Sequence, residues 1–287
     1  MAKDNMNKSR VNRSLVGDIM VTTMLVLVGL FMILPLYLSV INAFKPLDEI
    51  FIYPPRFYVM KPTLTNFKQM FQMTSNLWVP FSRYVFNSIF VSVVVTVSHV
   101  VLASMAAYPL AKHKFPGNKK IFSFVKTALL FTGGTLAIPQ YVIMAILGMV
   151  DTYWALILPS VASALGLFLM KQFMEPIGDA MLEAAKIDGA SEWRIWWQIV
   201  MPMVKPAWLT LSIFAFQSIW NATGANFIYS EQLKLLPTVL TQIQAGGIAR
   251  TGVAAAASLV LLIPPVLFFV ITQSNVLETM AHSGMKD

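Results

Sequence analysis

The chain has 287 residues, 57% of them hydrophobic and 12% charged, with a net charge of +8 and a mean hydropathy of +0.67. Soluble domains carry roughly 25% charged residues, so half the expected charge is missing, which excludes one soluble core and defines a polytopic membrane protein. The basic residues flank apolar stretches, a pattern of membrane orientation and not of nucleic-acid binding. The absence of cysteine excludes disulfides, thiolate metal sites and a cysteine nucleophile, and His99, His113 and His282 are too dispersed for a metal cluster.

In chain order, residues 1–17 are polar and basic and read as a tail. The apolar run 19–41 exceeds the roughly 7–15-residue apolar core of a signal peptide and no small-residue cleavage site follows it. It is predicted to be a retained first membrane helix, with Pro35 tolerated near its far end. Residues 43–83 form a polar, aromatic segment carrying Pro46, Pro54, Pro55, Pro62 and Pro80, with a short interfacial helix around 67–71. A second span covers 84–112 and ends in the basic stretch KHKFPGNKK. The third, 121–147, is interrupted by Gly133-Gly134 and Pro139, and a tight turn at 148–151 leads to the fourth, 152–173. After a polar loop come the fifth span, 207–228, a polar segment at 229–252, and the sixth span, 253–272. Gly252 and the alanine run 254–257 offer small residues for close helix packing. The expected fold is all-α, with six transmembrane helices in one domain over 18–275, a loop at 175–205 between spans 4 and 5, and tails at 1–17 and 276–287.

Six spans put both termini on one side. That side, with the loops at 112–120 and 171–205, carries 13 of the Lys and Arg residues; the other carries 7, and Lys126 lies within the third span. The bias predicts cytoplasmic termini and a cytoplasmic central loop.

Within that loop, residues 180–188 have helix-forming composition, Gly189 breaks the run, and Ser191 can cap a second short helix whose start is favoured by Glu192. Trp193, Ile195, Trp196, Trp197 and Ile199 make this second helix apolar, and Pro202 is expected to end it. A helix–glycine–helix unit of this kind fits either an interfacial anchor or a docking handle for a partner.

The chain lacks a G-x-x-x-x-G-K-[ST] loop, since Gly133-Gly134 has no lysine and falls in an apolar span. Asp188 and Glu192 lie on an amphipathic surface loop, not in the pocket a two-carboxylate mechanism needs. No cofactor, metal site or catalytic residue is expected. Polar groups inside spans face the bundle interior, and two stripes stand out. Ser88, Ser92, Thr96 and His99, flanked by Asn87, share one face of the second span. Gln217, Asn221 and Gly224, beside Trp220, share one face of the fifth. They are candidates for a solute path, because hydroxyls, amides and aromatic faces suit sugars; helix–helix hydrogen bonding is the competing role.

The loop also carries a family signature. Glu183-Ala184-Ala185, then Gly189, then Ile199 and Pro202, with Met201 where leucine is usual, resembles the loop of permease subunits of binding-protein-dependent ABC importers. Tyr108-Pro109-Leu110-Ala111, Phe115-Pro116-Gly117, Asp151-Thr152-Tyr153-Trp154 and Trp220-Asn221 resemble the carbohydrate-uptake, maltose-type branch. The chain departs from that pattern at Ala222 and in its tail. The resemblance implies a bacterial cytoplasmic-membrane subunit with a second permease subunit, two ATPase subunits that bind ATP and Mg, and an extracytoplasmic solute-binding protein as partners. It further implies that Glu183, Ala184, Ala185, Asp188, Gly189, Ala190, Trp193 and Pro202 belong to an ATPase-coupling loop. An ATP-independent six-span secondary transporter or channel is the alternative; the lack of an obvious intramembrane carboxylate for proton coupling counts against it.

Overall fold

A computed structural model describes residues 15–75, 79–131, 133–224 and 226–283, and among these every regular element is a helix. The first apolar run becomes α1 (Leu15–Phe44), which keeps Pro35 inside it, followed by α2 (Leu47–Ile50) and α3 (Thr65–Ser75). The second run is α4 (Phe81–Lys112). The third is divided between α5 (Asn118–Ala128) and α6 (Gly133–Ile146), and the fourth between α7 (Trp154–Val161) and α8 (Ala164–Met174). The polar loop folds into α9 (Asp179–Ile187), α10 (Glu192–Ile195), a π-helical turn at Trp196–Val200, and α11 (Met201–Met203). Then come α12 (Lys205–Trp220), α13 (Leu236–Gln244) and α14 (Thr251–Ser283).

Four helical segments are long and apolar enough to cross a membrane: Val16–Phe44, Phe81–Lys112, Trp154–Met174 and Ile248–Gln273. The helices either side of Val204 make a fifth only if they count as one span bent by 82°. Three expectations are corrected. The third span is two helices of 11 and 14 residues rather than one. The fifth helix stops at Trp220, short of residue 228, and Gly224 takes a positive φ of 64° in the irregular segment that follows. Pro202 does not end the hairpin: it lies within α11, which runs on directly from the π-helical turn, and the break falls two residues later at Val204, ahead of Lys205-Pro206. Residues 1–14 and 284–287 of the two expected tails lie outside the described residues; 15–17 already belong to α1, and 276–283 to α14.

The long helix α4 packs against α7, α8 and α12, while α14 packs against α1, α3, α12 and α13. Small residues set the closest approach. Ala256 and Ala257 are fully buried, and a side chain at Gly252 would run into Asn66 of α3. Asn66 donates to the carbonyls of Ala43 at 3.0 Å and Lys45 at 2.7 Å, so it closes the end of α1 while lying against α14. By contrast α1 is apolar on all sides and mostly exposed, the condition of a helix facing lipid or a partner.

Gly252→Leu should displace Asn66 and leave two buried carbonyls short of a donor. We expect it to lower stability by about 2–3 kcal/mol, read as a lowered thermal midpoint in detergent. Gly29→Ala, where an added methyl meets nothing within 4 Å, is the neutral control.

Candidate functional site

The hairpin of α9–α11 has two unlike faces. Leu182, Ile195, Trp196, Val200, Met201 and Val204 are buried, in one cluster with Ala107 and Tyr108 of α4 and Met170 and Met174 of α8. The opposite face presents Glu183, Ala184, Asp188 and Gly189 to solvent, with Ile187 86% and Trp193 61% exposed. Ala185 and Ala190 are half-buried against the cluster, and Pro202 is exposed. The eight signature residues are thus brought onto one small unit. Its sharp turn depends on Gly189, whose φ of +80° is costly for any residue with a Cβ. Ser191 caps α10 by accepting the Arg194 N–H at 3.4 Å. The π turn leaves Trp196 Nε1 buried without a hydrogen-bond partner, and Trp208 Nε1 donates to the Met201 carbonyl at 3.1 Å, closing the hairpin's end.

Side chains from the end of α4 fasten this unit to the bundle. The Tyr108 hydroxyl donates to Glu192 at 2.8 Å, and Lys186 of α9 pairs with the same carboxylate at 2.6 Å. His113 lies 3.5 Å from it. Lys112 donates to the Glu175 carbonyl at 3.0 Å, to the Ile177 carbonyl, and to Asp179 at 2.9 Å. The hydrogen bond from Lys112 holds the Asp179 carboxyl below its usual range. Glu192 therefore joins α4, α9 and α10, a role that its place at the helix start did not reveal.

The two polar stripes have fates of their own. Asn87 is fully buried and fully used: its amide donates to the carbonyls of Gln232 at 2.8 Å and Lys234 at 3.0 Å, and its oxygen accepts from Tyr153 at 2.7 Å. Ser88 accepts the Leu236 N–H at 2.7 Å. Trp220 is buried, stacked on Phe216, and donates to the Leu261 carbonyl at 3.0 Å. That carbonyl has no helical donor because Pro265 stands four residues on. Asn87 and Trp220 thus have their polar groups engaged within the bundle in this conformation. Ser92 is buried, and Thr96 Oγ1 is buried without a hydrogen-bond partner. His99 Nδ1 lies 2.8 Å from the Val161 carbonyl, freed where α7 breaks from α8, and Gly166 of α8 leaves room for the ring. Gln217 and Asn221 are exposed.

A cavity of about 280 Å³ brings His99 together with Ser160, Ser163 and Ser218, hydroxyls that the stripe analysis passed over because they sit on different helices. At the far end of the bundle Asp151, at φ +61°, accepts the N–H groups of Tyr229 at 2.9 Å and Ser230 at 2.8 Å. Among the described residues no three His, Asp or Glu side chains come together as a metal site.

A bundle of apolar helices with a half-buried, half-exposed hairpin at one end is the build of a multispan membrane protein. Residues 80–276 match the family model described as binding-protein-dependent transport system inner membrane component, and the chain belongs to that family. It is a multipass inner-membrane permease subunit. It is 35% identical over 199 residues to Protein LplC of Bacillus subtilis, covering 68% of this chain and 63% of LplC, less than two thirds of that relative. It is 29% identical over 216 residues to the polygalacturonan/rhamnogalacturonan transport system permease protein YtcP of the same organism, covering 74% of this chain and 72% of YtcP. Its fold resembles a chain of a bacterial ABC transporter involved in import of the acidic polysaccharide alginate, with a TM-score of 0.76 at 21% identity, covering 92% of this chain and 98% of that one.

Tyr108→Phe and Glu192→Ala should each lower the thermal midpoint, and the double variant should cost less than their sum. The coupling expected for a half-exposed, charge-assisted hydrogen bond is about 1 kcal/mol, read from a double-mutant cycle in detergent.

Proposed function

We propose that the chain is one permease subunit of an ABC importer for a sugar or oligosaccharide, driven by two separate ATPase subunits that dock on the hairpin. The observation that carries this reading is the hairpin's division into a face locked to α4 and α8 and a face that exposes Glu183, Ile187, Gly189 and Trp193. A mere membrane anchor would not need the rigid links from Tyr108, Lys112 and Lys186. ATP and Mg would bind the partner subunits, since this chain has no phosphate-binding loop. An extracytoplasmic solute-binding protein would deliver solute to the face opposite the hairpin. The names of relatives support a glycan cargo, YtcP and the arabinooligosaccharides transport system permease protein AraQ of Halalkalibacterium halodurans among them.

On this reading the six spans are α1, α4, α5 with α6, α7 with α8, α12, and α14, with both termini and the hairpin in the cytoplasm. The 13-to-7 distribution of Lys and Arg supports that orientation. Closure of the ATPase subunits would pull the hairpin and α4 together, tilting the bundle between inward-open and outward-open states. A second permease subunit, a different chain in this branch, would complete the passage. Thr96, His99, Ser92, Gln217 and Asn221 would contribute this chain's polar wall, with Asn87 and Trp220 holding that wall in place.

Gly189→Val should insert and fold with a stability loss of only about 1–2 kcal/mol from the left-handed backbone, because nothing lies within 4 Å of the new Cβ. It should nevertheless abolish solute uptake; normal uptake would remove the docking assignment. In proteoliposomes containing the second permease, the ATPase subunits and the binding protein, sugar should stimulate ATP hydrolysis. Hydrolysis indifferent to solute, or uptake driven by an ion gradient alone, would overturn the reading.

A further inference from the structure

Lys126 is a charge within the third apolar stretch that transport by a polar path does not explain, and its surroundings point to a lipid. Its ammonium lies 5.6 Å from the Phe122 ring centroid, one turn back along α5, and Lys171 lies 4.3 Å from the same ring. A lysine inside a span directed toward the helix N-terminus is snorkelling toward polar surroundings. Its neighbours Phe122 and Lys171 in turn line a pocket of about 750 Å³ between the ends of α4, α5 and α8.

The pocket is strongly basic once its internal pairs are counted. Lys171 is paired with Glu175 at 2.8 Å and Lys112 with Asp179 at 2.9 Å, so both acidic groups of the wall are engaged. Lys114, Lys119 and Lys120 line the same pocket, are exposed, and form no salt bridge among the described residues. The last two occupy the first turn of α5, whose cap residue Gly117 supplies no side-chain hydrogen bond, so free N–H groups add to the positive field.

A separate apolar furrow lies about one helical turn further along α4, α5 and α8, with the end of α7 as its fourth wall. It has about 510 Å³ of space and is lined by Leu102 and Ala106 of α4, Phe124 and Ala128 of α5, and Ala164 and Leu167 of α8. From Lys119 to Ala128 the helix rises about 14 Å, close to half of the ~30 Å hydrocarbon thickness. A cationic pocket with an apolar groove next to it, together about one leaflet deep, has the dimensions and polarity of a phospholipid, head and tail together. Basic pockets between membrane helices are recognition sites for anionic headgroups.

We propose that the α4–α5–α8 furrow binds one anionic phospholipid of the leaflet on the hairpin side. Lys114, Lys119 and Lys120 hold its phosphate, Lys126 reaches the headgroup from below, and an acyl chain lies along Ala106 and Phe124. The site rests on the chain's membrane location and not on the driving role of the hairpin, so it stands or falls separately from the transport reading. Through Lys112 and Asp179 the bound headgroup would border the fastening of the hairpin to α4.

The test is native mass spectrometry of the purified full-length chain with its partner subunits, delipidated and then titrated with phosphatidylglycerol or phosphatidylcholine of identical acyl chains. Wild type should retain one phosphatidylglycerol in preference to phosphatidylcholine. Lys119→Gln/Lys120→Gln should weaken that binding roughly thirtyfold, the effect of two lysines at a membrane surface, with an unchanged thermal midpoint. Ala106→Trp should abolish it by filling the furrow while every lysine remains. Equal retention of the two lipids, undiminished binding in either variant, or displacement of the lipid by millimolar inorganic phosphate would overturn the proposal. Because the chain has no cysteine, Ala106→Cys supplies a unique crosslinking point. Its capture by the second permease subunit would make the furrow a protein interface and would equally overturn the lipid site.

Discussion

A backbone carbonyl within a membrane has no water to turn to, so each interruption of a helix must find a donor elsewhere in the protein. This bundle is interrupted repeatedly, and several of the breaks are met by a side chain from a distant element. The break between α7 and α8 frees the Val161 carbonyl, which meets His99. Pro265 frees the Leu261 carbonyl, which meets the Trp220 indole. The carbonyls of Gln232 and Lys234 meet Asn87, and the end of α1 meets Asn66. Asn66, Asn87, His99 and Trp220 are used in this way. A polar residue in a span is therefore as much a sign of a broken neighbour as of a passing solute.

The hairpin follows the same logic at the membrane surface, with charge in place of neutral donors. Lys112 takes up carbonyls where α8 ends, and Glu192 gathers Tyr108 and Lys186. Charged partners are tolerated there because one end of each pair reaches water. The apolar side of the unit, from Ile195 to Val204, is packed as tightly as the bundle itself. An exposed cluster of Ile187, Trp193 and Trp197 on the other side is the kind of surface that a partner covers.

What could be read from the residues was mainly local. The extent of α4, the glycine elbow at 189, the cap at Ser191 and the small-residue contact at Gly252 depend on short-range stereochemistry or on a missing side chain. The opposed faces of the hairpin were visible as a run of tryptophans and isoleucines, though not which of them would turn inward. Three features escaped because their causes are tertiary. Pro202 looked like a terminator, but the following Lys205-Pro206 made Val204 the better place to bend. The fifth helix stops at Trp220 where its indole is drawn to a carbonyl 41 residues away. The acceptors of Asn87 lie 145 and 147 residues downstream, beyond the reach of helical spacing.

One helix supplies a large share of these long-range hydrogen bonds. Along its length α4 carries Asn87, Ser88, His99, Tyr108 and Lys112, which reach the 232–236 segment, the α7–α8 break, the hairpin and the end of α8 in turn. It is a spine wired to elements that are far from one another in sequence. Recombination between related permeases is constrained accordingly. A crossover that replaces α4 alone leaves hydrogen-bonding groups unmatched in four places at once, whereas one that carries α4 together with everything to the end of the 232–236 segment keeps each donor with its acceptor. The natural unit of exchange in such a protein is set by its hydrogen-bond wiring, and the boundaries of its membrane spans are a poor guide to where it can be cut.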